Sequence, residues 1–135
     1  MKLPITLIII FLGFATTFAQ SESETLEWLN TKKAEIRNIE TITVSYYEGK
    51  LSIDSEMLHA YGNNGAFTKI NWDTIKDIKA DGNYTITIVS NSMYNGENSY
   101  IKLYISSDLT PKYYKALKHM AELKGAKLVN NNLFD

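Results

Sequence analysis

The two histidines of this chain are the side chains best suited to acid–base or metal chemistry, but neither has the neighbours that such chemistry needs. His119 lies three residues before Glu122, so the two side chains would share one face of a helix. A zinc site needs at least three protein ligands, and no third ligand stands at a suitable spacing. His59 lies beside Tyr61 in an irregular strand, where we expect it to be half-exposed. The sequence therefore predicts no metal site and no cofactor.

Motifs for a nucleophile or a carboxylate pair are equally sparse. The chain has no cysteine and no Gly-x-Ser-x-Gly motif to present a serine on a strand-to-helix turn. Asp73 and Asp77 lie beside turns in a lysine-rich segment, so we expect both on the solvated surface. The pattern predicts a protein without catalytic residues. A hydrolase that uses His59 with a tyrosine or a carboxylate is the remote alternative.

Tyrosine and lysine side chains offer a surface for contact. Tyr94 falls in the polar segment Asn91–Asn98, which we interpret as an exposed loop. Between residues 101 and 127, six lysines oppose two carboxylates, which gives a local net charge of +4. The candidate interaction surface consists of Tyr94, Lys112, Lys115 and Lys118. It would suit an acidic partner or weak contact with an anionic surface, unless the lysines are only the solvated side of a helix.

Overall charge limits the class of partner. The chain has 14 basic and 15 acidic residues and a net charge of −1. Nucleic-acid-binding domains usually carry a strongly basic balance or stripe, so we expect no nucleic-acid partner. Without cysteine no disulfide can form, and stability must come from burial of the plentiful aromatic and β-branched residues.

The first nineteen residues have the order of a secretory signal peptide. Lys2 supplies the positive start, an apolar run extends from Ile5 to Phe14, and Thr17 and Ala19 are the small residues before the cut. We predict cleavage between Ala19 and Gln20 and export to the periplasm or the medium. The apolar run is shorter than the roughly 20 residues that a membrane span needs, so we expect no transmembrane segment after cleavage.

Hydrophobic periodicity predicts one α+β domain over residues 20–129. Apolar residues at helical spacing indicate an amphipathic helix at each end, and alternation with a period of two indicates about six or seven antiparallel strands between them. In the last helix Asp108 or Thr110 is the expected cap, Pro111 lies in the first turn and Gly125 ends it. The predicted ranges are a helix at 23–38, an antiparallel sheet at 41–106, a helix at 110–124 and a flexible tail at 130–135.

Turn residues divide the predicted sheet. Asn63-Asn64-Gly65 and Asp81-Gly82-Asn83 are hairpin signals, because the central residues of such turns must tolerate a positive φ. The polar pair Ser55-Glu56 interrupts the alternation and predicts a bulge or a short break rather than one straight strand.

This order of elements resembles a pleckstrin-homology-like (PH-like) barrel. Ile70-x-Trp72-x-x-Ile75-x-x-Ile78 is similar to a step found in bacterial members and their GRAM-like relatives, and the segment Lys115–Met120 directly follows the last strand. The resemblance covers about residues 40–125 and implies a bent sheet or partly open barrel that the C-terminal helix caps. Phosphoinositide-binding members carry several basic residues in the first hairpin. Here that turn is Glu48-Gly49-Lys50, so no inositol-phosphate site is expected.

Together these observations predict a non-catalytic interaction or binding module that acts on an unknown protein or envelope component. The alternative is a carrier that holds a small apolar ligand in a cavity between the sheet and the capping helix.

Overall fold

The computed structural model describes residues 22–44, 50–63 and 65–129. The predicted signal peptide, its cleavage between Ala19 and Gln20 and the predicted tail at 130–135 lie outside the described residues. Within the described ranges, each helix falls short of the length and apolarity that a membrane span requires.

Two helices flank seven strands in the described part of the chain. Helix α1 covers residues 22–32 and continues as a 3₁₀ turn at Lys33–Glu35. A second 3₁₀ turn, Trp72–Thr74, joins the fourth strand to the fifth, and helix α2 covers Thr110–Leu123. The strands are β1 Asn38–Thr41, β2 Lys50–Ile53, β3 Met57–Tyr61, β4 Phe67–Asn71, β5 Ile75–Asp81, β6 Thr85–Tyr94 and β7 Glu97–Tyr104.

The strands form two antiparallel sheets that pack against each other. One sheet has the order β1-β7-β6-β5 and the other β2-β3-β4. The described strands do not close into a barrel, because β1 pairs with β7 and not with β2. The predicted α+β architecture, with its antiparallel strands and its two helices, is confirmed.

One hydrophobic core fills the space between the two sheets. Alternate residues of each strand point inward, as the pleat requires, and burying each such side chain contributes about 1.5–3 kcal/mol. The fully buried strand residues with the largest side chains are Leu58, Ile70, Ile75, Ile86, Ile88, Ile101 and Leu103.

Helix α2 packs its apolar side against this core. Tyr113, Leu117 and Met120 are fully buried, and Gly125 ends the helix with a φ of 93°. The predicted cap is wrong, because Leu109 occupies that position without a side-chain hydrogen bond. The Thr110 hydroxyl instead bonds the Asn83 carbonyl at 3.0 Å, which ties the start of α2 to the β5–β6 turn.

Helix α1 is part of the same core. Leu29 is fully buried, and its carbonyl accepts a hydrogen bond from the Tyr113 hydroxyl at 2.9 Å. The ring of Trp28 lies 5.8 Å from that of Tyr113. On the other side, the Asn30 amide donates to the Ile53 carbonyl at the open edge of β2. Helix α1 therefore connects α2 to the smaller sheet.

The first helix is shorter than the predicted range 23–38. Helical structure ends with the 3₁₀ turn at Glu35, and Asn38 is already the first residue of β1. The Arg37 N–H donates to the Tyr104 carbonyl at 2.8 Å, so pairing with β7 takes over before the helix reaches its predicted end.

Tyr113 makes the stability of the domain sensitive to alkaline pH. Burial raises the pKa of its phenol well above the ordinary 10.0. Below about pH 10 the phenol is neutral in the folded and in the unfolded protein. Above about pH 10 it ionises in the unfolded chain but stays neutral in the folded one, so the free energy of unfolding falls as the pH rises. We expect Tyr113→Phe to flatten this fall in urea titrations between about pH 9 and about pH 11. Tyr84→Phe, at a 60% exposed position, should leave the fall as steep as in the parent protein. Equal slopes for all three proteins would contradict the assignment.

Candidate functional site

An open groove of about 860 Å³ lies where the two sheets separate. We call it the hairpin groove. Strand β6 starts beside the Asn83 turn, which α2 contacts, and ends at Tyr94 in the groove, so the groove and the start of α2 lie at opposite ends of β6. The residues that define the hairpin groove are Thr43, Phe67, Thr68, Lys69, Tyr94 and Ser99.

Threonine hydroxyls form the floor of the hairpin groove. The Oγ1 atom of the buried Thr68 lies 2.8 Å from that of Thr41 and 2.9 Å from that of Thr43. The Thr43 hydroxyl also donates to the Phe67 carbonyl at 2.7 Å. These bonds hold the segment after β1 against β4, and the buried Ser99 adds another hydroxyl. The floor is therefore polar and fixed in position.

Aromatic rings form the rim. Phe67 is 55% exposed and Tyr94 is 46% exposed, an unusual amount of accessible apolar surface for two large side chains in one groove. Lys69 places its ammonium 5.4 Å from the centre of the Phe67 ring. Rings that present an apolar face to water are typical of contact surfaces.

His59 belongs to an aromatic cluster next to the rim. Its ring lies 5.2 Å from that of Tyr61 and 5.9 Å from that of Phe67, the latter edge-to-face. The prediction that His59 is half-exposed is confirmed. It packs against rings, whereas a general base needs an acid or a nucleophile within hydrogen-bond reach.

The predicted loop Asn91–Asn98 is wrong, because this segment is a hairpin. Strand β6 continues to Tyr94, and β7 begins at Glu97. Asn95 and Gly96 join them with φ values of 49° and 82°, the two positive values that a tight two-residue turn requires. The hairpin places Tyr94, the last residue of β6, at the rim of the groove.

The structure does not bring Tyr94 and the three candidate lysines into one cavity. Lys112 and Lys115 are exposed on α2, whereas Lys118 is half-buried and engaged in a contact of its own. The lysine that lines the hairpin groove is Lys69 of β4, which the sequence pattern did not single out.

Asp73 and Asp77, both expected on the solvated surface, differ in burial. Asp73 is exposed, but Asp77 is buried, with a carboxylate oxygen 3.8 Å from the Lys79 ammonium. A register shift separates Ile75 from Asp77 in β5, and Asp77 pairs with Val89 on the sheet face opposite to that of Ile78. Among residues 22–44, 50–63 and 65–129, no three His, Cys, Asp or Glu side chains are grouped so as to hold a metal ion.

On the outer face of the larger sheet, Tyr100 lies between carboxylates. Partial burial, followed by the charges of Glu40 and Glu97, raises the pKa of its phenol. The Tyr104 hydroxyl donates to Glu40 at 3.3 Å, and the Lys102 ammonium lies 5.3 Å from the Tyr104 ring. Acidic and basic groups therefore offset each other on this face, in contrast to the hairpin groove.

Comparison with solved structures identifies the architecture. The PH domain from PfAPH superposes with a TM-score of 0.57 over 76% of this chain and 92% of that domain, at 14% sequence identity. The fold is PH-like. The PH domain from TgAPH is similar as well, with a TM-score of 0.50, 10% identity, and coverage of 79% of this chain and 99% of that one. No family model and no curated protein matches the sequence. The resemblance seen in the sequence is thus confirmed at the level of the PH-like fold, which does not by itself specify a ligand.

Proposed function

We propose that this PH-like protein is a non-catalytic binding module that holds its partner in the hairpin groove. The observation that carries the proposal is the pair of exposed rings, Phe67 and Tyr94, above a fixed hydroxyl floor in one groove. A few well-placed aromatic anchors supply most of the binding energy in typical interfaces.

The carrier alternative has less support from the geometry. A carrier of a small apolar ligand needs an enclosed apolar cavity. Here the space between the sheets is occupied by fully buried side chains, including those of Trp72, Leu58 and Ile88. The hairpin groove is open and has a polar floor.

The compartment is part of the proposal. The signal pattern in residues 1–19 favours export, and the partner would then be a protein or another component of the cell envelope. The lysines Lys112 and Lys115 would be available for a separate, weak contact with an anionic surface.

Loss of the Tyr94 ring should abolish most of the binding. We expect Tyr94→Ala to lower the affinity for a ligand in the hairpin groove at least about tenfold, because an anchor residue contributes about 2 kcal/mol or more. Binding is measured by titrating the ¹⁵N-labelled full chain with a set of peptides, oligosaccharides and inorganic phosphate. The expected chemical-shift changes cluster on Thr43, Phe67 and Tyr94.

Tyr84→Ala is the matched control, because Tyr84 is 60% exposed and follows the Asn83 turn at the other end of β6. It should bind like the parent protein. If Lys112→Glu and Lys115→Glu remove binding while Tyr94→Ala does not, the partner lies on α2 and the groove proposal is wrong.

A further inference from the structure

Strand β4 is paired on one side only. It lies at the edge of the sheet β2-β3-β4 and forms its ladder with β3. In an antiparallel ladder, residues alternately direct their backbone groups towards the partner strand and away from it. Two bonds set this alternation: Gly62 N–H to the Ala66 carbonyl at 2.9 Å, and Trp72 N–H to the Glu56 carbonyl at 3.0 Å. The even-numbered residues of β4 are therefore the ones that bond β3.

The odd-numbered residues of β4 direct their backbone groups to the open edge. Thr68 and Ile70 bond β3, whereas Phe67, Lys69 and Asn71 face away from it. An edge of this kind is a template for another strand, because it presents N–H and C=O groups that no neighbouring strand pairs.

The two ends of this edge are already capped. The Phe67 carbonyl accepts the Thr43 hydroxyl at 2.7 Å, and the Asn71 carbonyl accepts the Thr74 hydroxyl at 2.8 Å. Between these caps, the N–H and the C=O of Lys69 point to the same side and have no partner among the described residues.

The hairpin groove runs along this edge. Phe67, Thr68 and Lys69 are consecutive, and their side chains alternate between the two faces of the sheet. All three line the groove, so the groove follows the edge of the strand. The unpaired backbone groups of Lys69 therefore open into the groove, opposite Tyr94 and Ser99 of the β6–β7 hairpin.

From this geometry we infer that the partner is an extended peptide segment, which adds to β4 as a further strand through Lys69. The inference rests on the proposed function, because it takes the groove as the binding site. One residue of the peptide exchanges backbone hydrogen bonds with Lys69. Its side chain, and that of the residue two positions along the peptide, lie on the same face as Phe67 and contact its ring, and Tyr94 contacts the peptide from across the groove. The described lining contains the Lys69 ammonium and no carboxylate, so the peptide carries an acidic side chain.

The first test uses peptides selected from a displayed library of random heptapeptides on the full chain. Each selected peptide is synthesised with a backbone N-methyl group at one position at a time. We expect one central position, the residue paired with Lys69, at which methylation weakens binding about tenfold, because it removes a hydrogen bond of about 1–1.5 kcal/mol. On binding, hydrogen exchange of the Lys69 amide should slow by at least the same factor.

Two variants of Lys69 separate its backbone from its charge. Lys69→Ala removes the ammonium and should weaken acidic peptides only. Lys69→Pro also removes the N–H, which faces away from β3, a position where an edge strand tolerates proline. It should weaken the selected peptides further than Lys69→Ala does. If circular dichroism shows that Lys69→Pro is unfolded, the N-methyl series on the parent protein decides.

The outcomes distinguish the two proposals. Peptides that bind in the groove but tolerate every N-methyl group and leave the Lys69 amide unprotected overturn strand addition and leave the groove proposal standing. If no peptide is selected but a saccharide or phosphate binds at Tyr94, strand addition is likewise overturned and the groove proposal stands. Peptide binding that Tyr94→Ala and Phe67→Ala do not change overturns both.

Discussion

Replacing Trp72 by alanine is expected to lower the free energy of unfolding by about 3–5 kcal/mol, the usual cost of removing a large buried aromatic side chain. Trp72 is fully buried in the turn between β4 and β5. Its indole N–H donates to the Asp54 carbonyl at 2.8 Å, and its backbone N–H bonds Glu56. One residue thus joins the end of β4 to the β2–β3 turn, so the variant loses both packing and a link within the smaller sheet.

Urea denaturation followed by circular dichroism measures this effect. Trp72→Phe keeps most of the buried ring but leaves the Asp54 carbonyl without its donor, so a smaller loss of about 1–3 kcal/mol is expected. Tyr84→Ala, at an exposed site, should change stability by no more than about 0.5 kcal/mol. A loss below about 1 kcal/mol for Trp72→Ala would show that the turn contributes little to the fold.

The second large effect concerns helix α1. Leu29→Ala should cost about 2–5 kcal/mol, because the side chain is fully buried among core residues and leaves a cavity behind. The backbone carbonyl of Leu29 also accepts the Tyr113 hydroxyl, so loosening of the helix would break the bond to α2. A loss of stability of this size would identify α1 as part of the same cooperative folding unit as the sheets.

Leu26 provides the control for this experiment. It is one turn earlier in α1 and only partly buried, so Leu26→Ala should cost clearly less than Leu29→Ala. Equal and small losses for the two variants would indicate that α1 packs loosely and that the remaining elements fold without it.

Local patterns were sufficient for the elements with one buried face. Helix α2 lies within one residue of its predicted range, since Pro111 and Gly125 bound a regular apolar stripe. Turn residues between alternating strands also predict the hairpin at Asp81-Gly82-Asn83. At Ser55-Glu56 the pattern predicts only a bulge or short break, whereas the chain turns there from β2 into the antiparallel β3.

The β6–β7 hairpin was missed because its end has no buried face. The last four residues of β6, from Asn91 to Tyr94, are all exposed, so they show no alternation of apolar and polar side chains. A register shift between Val89 and Met93 disturbs the pattern further. The remaining signal was the Asn95-Gly96 pair, which suits a tight turn.

The groove itself depends on contacts between distant parts of the chain. The sequence pattern indicates Tyr94, but the hydroxyl bonds from Thr43 to Phe67 and Thr68 join segments about 25 residues apart in the sequence. The unpaired edge at Lys69 follows from the strand order, which no local spacing encodes. Hydrophobic periodicity predicts which helices and strands form, but it does not predict which of them lie next to each other.

The two tryptophans occupy different layers of the molecule, which makes them independent optical reporters. Trp72 is fully buried within the sheet layer, whereas Trp28 is partly buried between the two helices. In a Trp28→Phe protein, emission follows the sheets alone, and in a Trp72→Phe protein it follows the helix pair. Comparing their wavelengths during denaturation shows whether the helical layer detaches before the strands come apart.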